Sequence, residues 1–110
     1  MLAVPAQQTI ITHRLMELGI PIHRVGFRQL CMAIAIYAED TSRLLSKEIY
    51  PVIAAELGFP DWRSVEHAIR DVVVYTWKRR DNAVWEKYFP GCKSAPTNKR
   101  FIATFAQYIQ

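Results

Sequence analysis

The sequence predicts an all-α fold: one compact domain of about six helices containing a helix-turn-helix. Three observations predict it. Every long segment carries apolar residues at helical spacing, and none alternates as a half-buried strand does. The clearest Gly and Pro breaks, at Gly19 to Pro21, Gly58 to Pro60 and Pro90 to Gly91, separate these segments. The third is size. A chain of 110 residues, 51% apolar and 22% charged, fits a single globular domain over 1–110, too small for a deep cleft between two lobes.

The first helix covers roughly residues 6–18. Ile11, Leu15 and Leu18 form its apolar stripe, and Gly19 with Pro21 ends it. The second covers roughly residues 25–39. Phe27, Leu30, Cys31, Ile34 and Ala38 line one side; Met32, Ala33 and Ile36 make the other apolar too, the mark of a central helix packed on several sides. The stretch "SRLLSKEIYPVIAAELG" predicts a bend or restart at Tyr50–Pro51, because proline is harmless in the first turn of a helix. A short helix from Pro51 to Leu57 follows, with Gly58 as its stop. The fourth helix runs from Trp62 to about Arg79, with Asp61 as N-cap. Its inner stripe is Val65, Ala68, Ile69, Val72, Val73 and Thr76, with Trp77 also holding it to the domain. A brief fifth helix spans Ala83 to Tyr88. Thr97 or Asn98 caps a last helix, whose apolar side is Phe101, Ile102, Phe105 and Ile109.

Composition narrows the function. A net charge of +4 and a pI near 9.3 favour an anionic partner, provided the charge lies on one face. Cys31 sits in the apolar run "LCMAIAIYA" and Cys92 in a Pro/Gly-rich turn. Neither belongs to a CxxC, and His13, His23 and His67 have no metal-ligand spacing with them, so free thiols, no metal and no other cofactor are expected. No Ser/His/Asp or Cys/His set and no Gly-rich phosphate loop points to an enzyme, and Glu17, Glu56 and Glu86 are separate surface residues. The opening "MLAVP" lacks the basic segment of a signal peptide, and no apolar run approaches the ~18 residues that span a bilayer. A cytoplasmic protein without a membrane partner is expected.

The segment "AAELGFPDWRSVEHAIRDV" joins two helices through a short Gly-containing turn, a helix-turn-helix pattern over about residues 51–79. Ala54 or Ala55 is small enough for the helix crossing, Gly58 tolerates positive φ, and Ile53, Leu57, Phe59, Val65 and Ile69 anchor the second helix. Opposite the buried stripe lie Arg63, His67, Arg70 and Val74, with Glu66 at one edge and Asp71 at the other. A recognition helix reads bases with its N-terminal half, where these side chains fall, and Arg, His and Glu all have uses on base edges. A plain solvated face also carries charge, so the pattern by itself is a modest signal. Lys78, Arg79 and Arg80 either complement the C-terminal helix dipole or meet phosphates. Lys99 and Arg100 oppose the dipole at the start of the last helix, which points more strongly to phosphate.

Four stretches, "ELGIPIHRVGFRQL", "EIYPVIAAELG", "SVEHAIRDVVVYTW" and "APTNKRFIA", together resemble the C-terminal DNA-binding domain of the sporulation stage-zero response regulators, in order and at the family's spacing from about His13 onward. The resemblance implies recognition by "DWRSVEHAIRDVVVYTW" of double-stranded DNA boxes like TGTCGAA, by tandem copies or a homodimer. It implies base contacts from a Glu, the Arg after it and an Arg three residues later. Here these positions hold Glu66, His67 and Arg70, with Arg63 nearby. Ser64 stands where the family tends to have Arg and joins Lys78, Arg79, Arg80, Lys99 and Arg100 as expected phosphate contacts. Lys99 and Arg100 replace the family's usual Ser and Glu. The family's receiver domain has no counterpart in the 110 residues. His67 leaves a second reading open: a protein–protein module of the same fold that has lost specific DNA binding and modulates a full-length relative.

Overall fold

A computed structural model of the protein describes residues 5–109, and side chains from Gln7 onward; Met1 to Val4, the start of the "MLAVP" segment, lie outside them. Among the described residues there are six α-helices and no strand. They are α1 (Pro5–Leu18), α2 (Phe27–Glu39), α3 (Tyr50–Leu57), α4 (Trp62–Lys78), α5 (Asn82–Tyr88) and α6 (Asn98–Ala106). A π-helical turn, Leu45–Ile49, leads into α3, and a 3₁₀ turn, Gln107–Ile109, follows α6.

The expected central helix is central. α2 packs against α1, α3, α4 and α6, and its residues from Met32 to Tyr37 are all buried. It begins two residues later than its apolar pattern suggested. Gly26 adopts φ 107°, a left-handed conformation that ends the preceding loop, and Val25 is left 68% exposed. A Cβ at Gly26 would stand 2.3 Å from the Ala68 carbonyl oxygen, so only glycine lets this loop lie directly on the backbone of α4. The buried Gln29 side chain accepts from the Gly26 N–H at 2.9 Å, the reciprocal half of a capping box.

The restart at Tyr50–Pro51 is present, with Pro51 in the first turn of α3, where its missing N–H costs nothing. Gly58 closes α3 at φ 76°, and the Phe59 N–H reaches back to the Ala54 carbonyl at 2.8 Å, a Schellman-type ending. Ala54 is the small buried residue at the crossing; Ala55 is exposed. On α4, Val65, Ile69, Val72, Val73 and Thr76 are buried as the spacing required. Ala68 and Trp77 are half-buried instead.

Behind α4 lies an aromatic cluster. Trp85 meets Trp77 edge-on at 5.4 Å and donates its indole N–H to the Leu18 carbonyl at 3.0 Å. Phe89, Phe101 and Phe105 stack on one another at 4.8–6.1 Å. These rings bind α5 and α6 to the bundle and fix where the first turn of α6 stands beside α4. Thr97, not Asn98, caps α6: its hydroxyl accepts from the Arg100 N–H at 3.1 Å, and Asn98 is the first helical residue.

Candidate nucleic-acid interface

The outward face of α4 starts at its cap. Asp61 is extended and its carboxylate accepts from both the N–H (3.0 Å) and the hydroxyl (3.1 Å) of Ser64. Those bonds, the backbone one first, hold the Asp61 carboxyl below its usual range. They also occupy Ser64, the expected phosphate contact, as a donor within the cap. Arg63 is exposed and leans over the Trp62 ring, its guanidinium carbon 4.9 Å from the centroid. His67 is exposed, and Glu66 and Arg70 are half-buried on the flank toward α6.

That flank is tied by hydrogen bonds. The Arg70 guanidinium donates to the Pro96 carbonyl at 2.6 Å, so in the free chain it leans sideways instead of projecting straight out. The Asn98 amide donates to the Glu66 carbonyl at 3.2 Å and to the Tyr50 hydroxyl at 3.4 Å, while its oxygen is buried without a partner. Burial pushes the Tyr50 phenol up to about 12, so it stays protonated. The result is one open cleft that brings together Glu66, His67, Arg70 and Lys99, walled by the π-helical turn before α3.

The other expected phosphate contacts are dispersed. Lys99 lies on the cleft rim, its ammonium 4.8 Å from the Tyr37 ring centroid. Arg100 points away from the cleft, toward the Cys92 sulfur (3.6 Å) and the Phe89 ring. Arg79 and Arg80 donate to the Tyr75 and Trp77 carbonyls at 3.2 and 2.9 Å, which caps the C-terminal end of α4 as the dipole favours. Lys78 is exposed beside them. Sequence reasoning missed two contributors. Asn98 fastens α6 to α4, and Arg24 folds over Tyr75 from the α1–α2 loop. Only the apposition of distant segments reveals either.

No group of three or more His, Cys, Asp or Glu side chains is placed to hold a metal among the described residues. Cys31 is half-buried, and desolvation pushes its thiol up to about 12. No helix is long and apolar enough to cross a membrane among those residues.

A short α3, a glycine-closed turn and a longer α4 with a charged outward face form a helix-turn-helix, an arrangement of the nucleic-acid-binding class. Over residues 11–109 the chain matches the family described as "Sporulation initiation factor Spo0A C terminal", and it belongs to that family. It is a DNA-binding effector domain of the sporulation-regulator type, and this family is one of transcription-factor domains, not of enzymes.

Proposed function

We propose that this chain binds duplex DNA sequence-specifically by laying α4 in the major groove, with residues 50–78 as the helix-turn-helix unit. The observation that carries the reading is the cleft-side grouping of Glu66, His67, Arg70 and Lys99 around the N-terminal half of α4. A recognition helix presents that half to base edges. Glu66 accepts from cytosine N4, and Arg70 grips guanine O6 and N7 with two donors. Arg70 keeps donors for this beyond the one given to Pro96. His67 is a weaker reader, since a neutral imidazole offers one donor and no fork, and Arg63 reaches from the first turn. Lys99 on one side and Lys78 with Arg79 on the other supply phosphate contacts, with Arg80 and Arg100 as more distant charges. Double-stranded boxes like TGTCGAA, bound by tandem copies of the domain in the cytoplasm, are the targets this arrangement suits.

The test is equilibrium binding to a duplex carrying such a box and to its scrambled version at the same salt. The reading predicts a tighter complex with the box by at least roughly tenfold, the lower part of the specific-to-non-specific range being about a thousandfold for complete sites. Equal affinities for both duplexes would contradict it, and no binding to either would favour the protein–protein module.

A further inference from the structure

On the flank of α4 away from α6, Tyr75 carries a second cationic arrangement. The Arg24 and Arg79 guanidinium carbons each lie 3.7 Å from the centroid of its ring. Two planar guanidiniums cannot share one ring face at that distance. They therefore occupy opposite faces, about 7 Å apart across the ring. Both arginines are exposed, as is Lys78. Among the described residues, the ion pairs within 4.0 Å involve other side chains, so no carboxylate is in direct contact with these cations. Asp71 is the acidic residue lining the same groove, with His23 and Val25 on the loop side.

The arrangement is positioned by backbone as much as by the ring. The Arg24 N–H donates to the Pro21 carbonyl and the Arg24 carbonyl accepts from the Phe27 N–H, both at 3.2 Å. The loop then touches α4 at Gly26, where no side chain intervenes. Two like charges are thus held close together by an aromatic ring and a tight loop, with no carboxylate in direct contact and Asp71 further along the groove. An anion seated across them relieves their repulsion.

We propose that Arg24, Tyr75 and Arg79, with Lys78, form a clamp for the phosphodiester backbone of the DNA that α4 enters. A helix in the major groove has a strand's backbone on each flank. Lys99 serves the flank beside α6, and this clamp serves the other. Guanidinium groups suit the task because each can present two parallel donors to phosphate oxygens. The proposal rests on α4 entering the groove, and it adds a segment, the α1–α2 loop, that the reading above does not use.

The experiment measures affinity against salt for the whole chain on box and scrambled duplexes, comparing the parent with Arg24→Gln, Tyr75→Phe, Tyr75→Leu and Arg28→Gln. Arg28 is an exposed cation on α2, beside α1, and controls for net charge. Arg24→Gln is expected to weaken binding to both duplexes by about 3- to 10-fold and to flatten the slope of log K against log salt by about one. Tyr75→Phe keeps the ring and the parental slope, whereas Tyr75→Leu loses part of it. Arg28→Gln changes neither affinity nor slope by as much. Thermal melts of the variants identify any loss that comes from unfolding, and Arg24→Lys, which keeps the charge but not the fork, gives an intermediate affinity. If Arg24→Gln retains the parental affinity and slope while the parent still prefers the box, the clamp is overturned and the α4 reading stands. A loss confined to the box with unchanged slope, or an equal loss in Arg28→Gln, also overturns it. A parent that binds neither duplex overturns both.

Discussion

The two flanks of α4 are built by different means. Beside α6, Arg70 bonds to Pro96 and Asn98 bonds to Glu66 and Tyr50, so α4 is joined to the start of α6 and to α3 by directed hydrogen bonds. Beside the α1–α2 loop, Arg24 reaches α4 by stacking on Tyr75, and the loop itself is held by backbone contact at Gly26. Hydrogen bonds fix direction, whereas ring stacking fixes a plane and leaves the guanidinium edge free to turn toward an anion. On the function proposed above, the first flank would read bases at defined positions and the second would grip backbone without regard to sequence.

The largest expected effect tests what holds the second flank. Gly26→Ala should cost roughly 2–6 kcal/mol: about 1–3 for a side chain in the left-handed region and about 1–3 for overlap with α4. Gly58→Ala should cost only about 1–2 kcal/mol, because its φ of 76° is strained but nothing lies within 4 Å of the new methyl. Thermal or urea unfolding of the two variants decides; equal losses would mean that the loop does not lean on α4. Ile69→Ala removes a wholly buried side chain that serves both flanks, and should cost on the order of 2–5 kcal/mol by the same measurement.

Next in size is the hydrogen-bonded flank. Arg70→Ala should lose about 1–3 kcal/mol of affinity for the preferred box and keep most non-specific binding. Binding titrations on box and scrambled duplexes read this directly, and an equal loss on both would move Arg70 from base reading to backbone contact. Lys99→Ala should weaken all duplexes alike and flatten the salt slope by about one. Arg100→Ala should change the slope less, since its guanidinium is turned toward Cys92 and Phe89.

The smallest effect is a pH dependence at the cap. The Ser64 bonds lower the folded Asp61 carboxyl, so its stabilisation is complete above the unfolded value near pH 4 and is lost as pH falls through the lower folded value. Asp61→Asn keeps a capping oxygen without the titration. The parent should therefore lose more stability than Asp61→Asn between about pH 5 and pH 3.

Much of this fold was legible in the sequence because its helices are amphipathic and their ends carry chemical marks. Asp61 caps α4 and Gly58 ends α3 as their residue types required. The start of α2 was misplaced because Val25 fits an apolar pattern, while the decisive feature is the contact of Gly26 with Ala68, more than forty residues away. The site divided in the same way. Glu66, His67 and Arg70 follow from helical spacing along one segment. Arg24 and Asn98 depend on which loops fold onto α4, and nothing within their own segments records it. Arg100 shows the converse: charge at a helix start marked it for phosphate, yet tertiary packing turns it aside.

The most direct test of the central claim is selection of bound sequences from a random duplex pool, run in parallel for the parent and His67→Arg. If α4 reads bases from the major groove, the parent enriches a defined box with one weakly specified position. His67→Arg then sharpens guanine at that position, leaves its neighbours unchanged, and binds the sharpened box roughly tenfold tighter or more, within the 1–3 kcal/mol of a bidentate contact. Identical enriched sequences for both proteins, or no enrichment for either, would contradict the placement of this face of α4 against the bases.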